Sequence, residues 1–589
     1  MLPKIIHFGD EGREKIGEGI KILTDAVKST LGPRGRNVLI GNKGMRMRFT
    51  KDGVSVAKEV CLYDEIQDAG AHIIREAALN TCNKVGDGTT TATVIAQNII
   101  SNGISCYKDK IPPIALKIGI EKALEKVLEF LKSHSKEIQS DEDVINIATI
   151  SANGDRELGK IIADTFKKVG KDGAVTIEES SSGNTEVSIV EGLQLDKGYI
   201  SPYFVTNPAK MTCDLDNPYI LIYDKKISTF YPLLSLFESI AKSHDSLLII
   251  AEDVDHEALG MLVKNKMSGL LKVAAIKTPS FGKHRDYLMD DLNVMTGSMI
   301  VSDHTGIKLE SIVKEMLGRA KKAIISQDKT IIMGGYGKKE DIHARCDFLQ
   351  HEIDNAENEA DKNHFYERLA KLNHGVAVIK VGGTTEFEVK EKKDRVEDAV
   401  HATRAALKGG ILPGGGISLL RASHYLNSLD FLNEIDNHET PVCYDMGVAH
   451  GIYLIEKALK APFNQIMENA GLIPEEIEET LISIGKGPSE NPGSAYGYKD
   501  LISQSKATNI SIEEEKEKQF NQGYDALNFK YVDMVEAGII DPTDVVLTSF
   551  KDAVSIASMM LSTNVVMIEE NEITINDLHS PSNPYKIRI

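Results

Sequence analysis

Residues Gly86–Val94 read GDGTTTATV, and no other stretch restricts the chain so tightly. Two glycines flank an aspartate, three threonines follow, and Val94, Ile95, Ile99 and Ile100 continue as apolar positions at helical spacing. Such a pattern turns sharply and then opens a helix, with Asp87 and Thr89 as N-cap candidates. The free N–H groups and the dipole at a helix start attract an anion. The threonine hydroxyls add donors, and a carboxylate beside a phosphate needs a cation between the two. Two readings stand on these nine residues: an ordinary well-capped helix, or a phosphate cradle with its own Mg2+ ligand. It is not a Walker A loop, because no Gly-Lys-Ser/Thr follows.

The chain has 589 residues, too many for one core, so roughly three or four domains are expected. A hydrophobic fraction of 42 % with 26 % charged residues describes an ordinary globular protein. No uninterrupted apolar run approaches the length of a membrane span, and the N-terminus, MLPKIIHFGDEGREK, has neither a signal-peptide core nor transit-peptide character. Cys61, Cys82, Cys106, Cys213, Cys346 and Cys443 are scattered without a CxxC pair, which suits reduced core thiols and a cytoplasmic location. The formal net charge of −19 argues against a nucleic-acid surface, which wants a basic face. A local nucleotide site remains compatible with it.

Along the chain, Lys4–Phe8 is β-like, and a helix with Ile16, Ile20, Leu23 and Val27 on one stripe stops at Leu31-Gly32-Pro33. NVLI, the turn GNKG and MRMRFT form a hairpin candidate. Two strands alone are marginal. The hairpin therefore needs more, and Asn564–Ile568 is the offered partner, either within the chain or from a neighbouring subunit. From Ile66 to about Ser133 the pattern is helical, so the loop lies in a helical region and not at a strand–helix junction. Short β runs at Ala174–Ile177 and Glu186–Val190 precede an α/β stretch with strands at Ile220–Tyr223, Leu247–Ala251, Lys272–Ile276 and Met299–Val301. Asp341–Leu372 reads as a charged, solvent-facing helical hairpin, Val376–Val381 as a strand and Lys390–Leu407 as a helix. Glycine-rich punctuation then leads into a second helical region. The expected fold is multidomain α and α/β, with an α/β domain inserted in a mainly helical one. Gly487–Gln519, rich in Gly, Ser, Pro, Asn and Glu, reads as a surface insertion or partly disordered loop.

Other spots could face the loop: Thr30–Pro33, Thr50-Lys51-Asp52-Gly53, Glu397-Asp398 and Gly414–Gly416, each an ordinary surface feature when taken alone. In order and spacing, VKSTLGPRGRNV, TKDGVSVAKEV, VGDGTTTATV, TISANGD, VEGLQLDKGYISPYF, LLIIAEDV, RVEDAVHATRAAL, PGGG and GIIDPTDVV resemble the GroEL-type group I chaperonins over nearly the whole chain. That resemblance implies an equatorial domain (1–136 and 411–589, with the insertion at 487–519), a small α/β intermediate hinge domain (137–190 and 376–410) and an apical domain (191–375). It implies an ATPase that captures non-native proteins on apical apolar patches and encloses them in a ring chamber.

Carried over, the nucleotide pocket falls on Thr30, Leu31, Gly32, Pro33, Lys51, Asp87, Gly88, Thr89, Thr90, Thr91, Ile150, Ser151, Gly415 and Asp541, with Asp525, Ala526 and Leu527 as the base-contacting turn. Asp87 would ligate Mg2+, Asp398 would orient the attacking water and Asp52 would assist; K+ is a further ion the resemblance admits. Tyr199, Tyr203, Phe204, Leu234, Phe237, Leu259 and Val263 fall on the client- and co-chaperonin-binding positions, and the resemblance implies that they are exposed. Without it, the stripes in PLLSLFESI and ALGMLV read as core. The implied partners are unfolded proteins, a GroES-type co-chaperonin and further copies of this chain, seven to a ring, with no nucleic acid and no membrane.

The chain departs from the family at Lys264, where an apolar residue is usual, at Lys408 and Gly409, where acids are usual, and at Pro413 before the triple glycine. A Gly-Met-rich tail is replaced by EENEITINDLHSPSNPYKIRI. These departures support an alternative: a divergent paralogue acting as a nucleotide-regulated scaffold with weak refolding activity.

Overall fold

The computed structural model describes residues 4–41, 47–108, 111–171, 173–180, 184–190, 192–208, 210–279, 282–355, 375–429, 442–485 and 512–569, with 362, 365, 368, 369, 371 and 372 besides. The chain forms two compact units, one from 1–163 with 385–589 and one from 164–384.

The first unit is mainly helical. Ile16, Ile20, Leu23 and Val27 line the buried stripe of Gly9–Lys28, as their spacing requires. That stripe joins one core with Ile95 and Ile99 of Thr89–Lys108, Leu116 and Ile120 of Pro113–Ser133, Leu459 of Val442–Asn469 and Phe550 of Thr543–Ser562. Helices Pro113–Ser133 and Val442–Asn469 cross at Gly119 and Gly451, where a Cβ on Gly119 would meet the Val448 carbonyl oxygen at 2.0 Å. Only glycine permits that approach. Thr543–Ser562 is long and apolar enough to cross a membrane, yet 67 % of its most apolar window is buried within the unit, as befits a core helix.

The terminal strand Val565–Glu569 pairs antiparallel with Lys4–Phe8, Ile5 opposite Ile568. Within this chain it does not pair with the hairpin. Val38–Ile40 and Arg48–Thr50 pair only with each other among the described residues, Leu39 opposite Phe49, and both of these side chains are exposed. Residues 487–511 of the expected insertion and the tail 570–589 lie outside the described residues. The insertion's last part belongs to a helix, Ile512–Asn521, with Gln519 buried, so that portion is not a loop.

The second unit is built on an eight-stranded sheet. Its parallel centre is Lys272–Lys277, Ser246–Val254 and Tyr219–Ile227, and the LLIIA run of the middle strand is fully buried. Gly318–Ile325, Thr330–Gly335 and Gly192–Leu195 continue it antiparallel. These three strands and Cys213–Asp216 do not stand out in the sequence because they are short or rich in Gly and Lys, although Cys213–Asp216 buries Cys213 and Leu215 in alternation with its two aspartates. A three-stranded sheet has Val376–Val381 at its centre, parallel to Ala174–Glu179 and antiparallel to Glu186–Val190.

The charged region after Asp341 is not simply solvent-facing. Leu349 and Ile353 of helix Lys339–Asn355 cluster with Phe365 and Leu372, and the buried Asp291 carboxylate accepts from Arg345 Nε and Arg368 Nε, each at 2.8 Å. Charge in that sequence marks a pinned face, not only a wetted one.

In the first unit, Glu478 Oε1 accepts from Lys460 Nζ at 2.9 Å and lies 2.8 Å from His424 Nε2. Burial opposes ionisation of Glu478, but the His424 and Lys460 contacts outweigh it and bring its pKa to about 2. An acid held below its usual range stabilises the fold above the unfolded-state value, and that contribution is lost as pH falls toward 2. Glu478→Gln should therefore lower stability to urea at pH 7, with the deficit shrinking between about pH 4.5 and 2 and no further deficit appearing on raising pH from 6 to 8.

Candidate functional site

Helix Glu65–Val85 ends at Gly86, whose φ of 75° is left-handed, and Thr89–Lys108 starts three residues later. Ala92 N–H donates to the Gly88 carbonyl at 3.0 Å, so Gly88, with φ of 80°, is the N-cap, and not Asp87 or Thr89. The reason is that Asp87 uses its carboxylate otherwise. Its Oδ1 accepts from Gly88 N–H at 2.6 Å and its Oδ2 from the Ser151 hydroxyl at 3.2 Å. Ser151, with Ile150 before it, ends helix Asp141–Ser151.

Asp52 caps helix Gly53–Glu59, accepting from Val54 N–H at 3.0 Å and Ser55 N–H at 2.9 Å. Gly53 lies against Thr90, since a Cβ there would meet the Thr90 hydroxyl at 2.2 Å. Asp398 lies on helix Glu386–Gly409, anchored by its buried Val396, Ala399, Val400 and Ala402. Burial first, then the neighbouring Asp52 and Asp87 charges, hold the Asp398 carboxyl well above the usual carboxylate range. Burial and Asp52 raise Asp87, against the lowering effect of the Gly88 and Ser151 donors. All three keep some accessible surface, so they are enclosed by protein yet reachable.

Asp541 belongs to the same group. Strand Ile540–Pro542 pairs with Ile411–Pro413, Leu412 opposite Asp541, and Gly414 N–H donates to the Ile539 carbonyl at 2.9 Å. Burial, with Asp87 adding repulsion, pushes Asp541 up to about 7. Lys51 is lowered by burial and by the Arg395 guanidinium, with Glu391 pulling the other way. Cys82 is pushed up to about 11 by burial and by Asp398 and Asp52.

A second group adjoins through packing. Arg34, just past Thr30–Pro33, donates from Nε to the Ala526 carbonyl at 3.0 Å and from Nη2 to the Leu527 carbonyl at 2.8 Å. Asp525 Oδ1 accepts from Leu527 and Asn528 N–H, closing that turn. Leu31 packs with Tyr524, Ala526 and Met534, and Met534 reaches Gly415, whose φ is 65°. The structure thus brings Lys51, Asp52, Asp87, Thr90, Ser151, Asp398 and Asp541 together, and joins Thr30–Pro33, Gly415 and Asp525–Leu527 beside them. Arg34, Cys82 and Arg395 were missed in the sequence. Of these, only Arg395 carried a local signal, standing one helical turn before Asp398.

Among the described residues, no group of three or more His, Cys, Asp or Glu is placed to hold a metal. Asp87 alone suits Mg2+, which keeps most of its waters and binds through one or two carboxylates plus phosphate oxygens. Cavities of about 540 and 610 Å³ lie elsewhere, lined by residues such as Tyr223 and Lys308, and His72 and Met559, respectively. The departure at Gly409 has a local cause. A Cβ there would sit 2.5 Å from the Asp544 carboxylate, so an acid would meet both a clash and a like charge.

Of the apolar set in the second unit, Tyr203 and Leu234 are exposed, at 62 % and 43 %, and Leu259 and Val263 are half-buried. Tyr199, Phe204 and Phe237 are core residues, at 8 %, 0 % and 3 %, which corrects the expectation that all seven are exposed. Phe237 lies on the buried flank of helix Leu234–Ser243, whereas Tyr199 bridges to Ile276 and Phe204 sits in the turn Pro202–Phe204, which packs on helix His256–Met267 and strand Lys272–Lys277.

Residues 23–571 match the TCP-1/cpn60 chaperonin family. Two crystal structures of the chaperonin gp146 from the bacteriophage EL 2 (Pseudomonas aeruginosa), both in the presence of ATP-BeFx, are similar at 21 % identity. Crystal form II has a TM-score of 0.65 over 97 % of this chain and 100 % of that chain. Form I has 0.58 over 96 % and 99 %. At that identity the likeness carries the fold.

At Gly86 an added Cβ would be left-handed and 2.3 Å from the His401 side chain. Gly86→Ala should cost about 1–2 kcal/mol from the backbone alone, with more from the overlap. Urea unfolding checks it.

Proposed function

The chain belongs to the TCP-1/cpn60 chaperonin family, and from that premise we propose that it is an ATP-dependent folding chaperone whose hydrolytic site is the Asp52, Asp87 and Asp398 cluster. The carrying observation is that three carboxylates far apart in sequence face one another beside Lys51, with Asp52 and Asp87 held by N–H donors. Phosphoryl transfer asks chiefly for positioning and charge neutralisation. Mg2+ held at Asp87 would supply that neutralisation between the carboxylates and the phosphates.

Asp398 orients the attacking water and accepts its proton, and Asp52 assists through its fixed charge. Burial, then the Asp52 and Asp87 charges, hold the Asp398 carboxyl above its usual range. A cation held at Asp87 would oppose that shift and favour the ionised Asp398 that a general base requires. Thr89, Thr90, Thr91 and Gly88 face the phosphates, Lys51 balances them, and Asp541, Gly415, Ile150, Thr30–Pro33 and Asp525–Leu527 hold the nucleoside. Movement of helix Glu386–Gly409 would gate hydrolysis.

The proposed domains are equatorial (1–136 and 411–589), intermediate (137–190 and 376–410) and apical (191–375). The client surface consists of Tyr203, Leu234, Leu259 and Val263, with Tyr199, Phe204 and Phe237 supporting it from beneath. Exposed Met261, Met267 and Leu270 on or just after the same helix extend it. Such apolar area gives weak, sequence-tolerant grip, and a ring of copies multiplies it. A seven-membered ring, a GroES-type lid, K+ and a cytoplasmic setting complete the reading. A nucleotide-regulated scaffold is the second reading, favoured by the exposed Lys264 on helix His256–Met267, which sets a charge beside that surface. Stable capture without ATP-dependent release would select it.

Asp398→Ala should bind ATP while hydrolysing it at least about 100-fold more slowly in a phosphate-release assay; unchanged turnover would remove Asp398 from its role. Tyr203→Glu should weaken capture of a chemically denatured protein by about ten-fold in a co-sedimentation assay while leaving ATPase turnover within about two-fold.

A further inference from the structure

Arg395 stands one turn before Asp398 on helix Glu386–Gly409 and has no role in the site as described so far. Its Nη2 donates to Glu391 Oε2 at 2.6 Å, but its Nε is buried and has no hydrogen-bond partner. The helix packs on strand Arg48–Thr50, which leads directly into Lys51. The Lys51 ammonium is near enough to the guanidinium to be disfavoured by it. Among the described residues, no hydrogen bond or ion pair holds that ammonium. Glu391 offsets part of this positive charge, while Asp52 has its oxygens on Val54 and Ser55 N–H and Asp87 on Gly88 N–H and the Ser151 hydroxyl, so neither aspartate is bonded to Lys51 or Arg395. Two cations converging at a half-buried place, one with an unmet donor, ask for an anion between them.

We propose that Arg395, together with Lys51, forms a second cationic contact for the terminal phosphate of a nucleoside triphosphate, its guanidinium exchanging Glu391 for a phosphoryl oxygen when the nucleotide binds. The inference rests on the nucleotide reading of this site. It makes Arg395 a sensor of the third phosphate, because a diphosphate lacks the group it would contact. It also couples that phosphate to Asp398, since both side chains ride on one helix.

The test is isothermal titration calorimetry on the full chain with Mg2+, using a β,γ-imido ATP analogue and ADP as separate ligands. Arg395→Ala should weaken the analogue by about ten-fold or more and leave ADP within about two-fold. Arg395→Lys, which keeps the charge but loses the planar fork, should recover part of the loss. Glu391→Gln, which weakens the competing partner, should leave ADP unchanged and not weaken the analogue. Equal losses for both ligands, or no loss for either, would overturn the proposal and leave Arg395 a helix tether. If Arg395→Ala does not fold, the analogue-to-ADP ratio of Arg395→Lys decides in the same way. A wild-type chain that binds neither ligand would overturn the nucleotide site itself, a distinct failure.

Discussion

Like charges brought together away from bulk water repel, and much of the first unit's local structure works against that repulsion. Asp52 is fixed because it caps a helix, Asp87 because a left-handed turn aims its carboxylate at Gly88 N–H and Ser151. Asp398 is fixed because the apolar flank of its helix is buried. None of the three could hold its place by attraction to the others. Their geometry is imposed from outside by backbone donors and core packing, with the cations Lys51 and Arg395 held alongside them. Acids and cations fixed side by side by the scaffold, rather than any one side chain, make the cluster a site.

The surrounding pieces follow from the same requirement. The Gly414–Gly416 turn brings backbone beside Asp541, and Arg34 ties the loop after the first helix to the Asp525 turn. Both act over long sequence separations through carbonyl acceptors, Ile539 for Gly414 N–H and Ala526 and Leu527 for Arg34. The rigid core beneath, with helices close enough to exclude a Cβ at Gly119, gives these loops a fixed base. In the second unit the problem is different. In the turn Pro202–Phe204 and in helix Leu234–Ser243 alike, one apolar side chain stays outside, Tyr203 and Leu234, while Phe204 and Phe237 complete the core.

Much of this was legible in the chain. The stripe Ile16, Ile20, Leu23 and Val27, the glycine-flanked loop at Asp87 and the LLIIA strand each carry their own local signal, a helical period, paired glycines or a continuous apolar run. Other features were not. The acids and bases around Asp341–Leu372 look solvated until Asp291 is seen to hold Arg345 and Arg368. The strand at 565–569 could serve several partners, because a row of unpaired N–H and C=O groups does not specify its mate. The cap of helix Thr89–Lys108 fell to Gly88 because Asp87 was engaged elsewhere, something no capping preference can encode.

The sequence by itself determined the turns, the helical faces and the kinds of side chain available for phosphate chemistry, since these depend on residues within a few positions of one another. Only the tertiary structure decided which of them meet. Asp52 faces Asp398, and Arg34 reaches Ala526 across 492 positions, because packed helices bring those segments together. It likewise decided which half of an amphipathic stripe is core, because a period marks a face as apolar without saying how much of it the neighbouring sheet can cover.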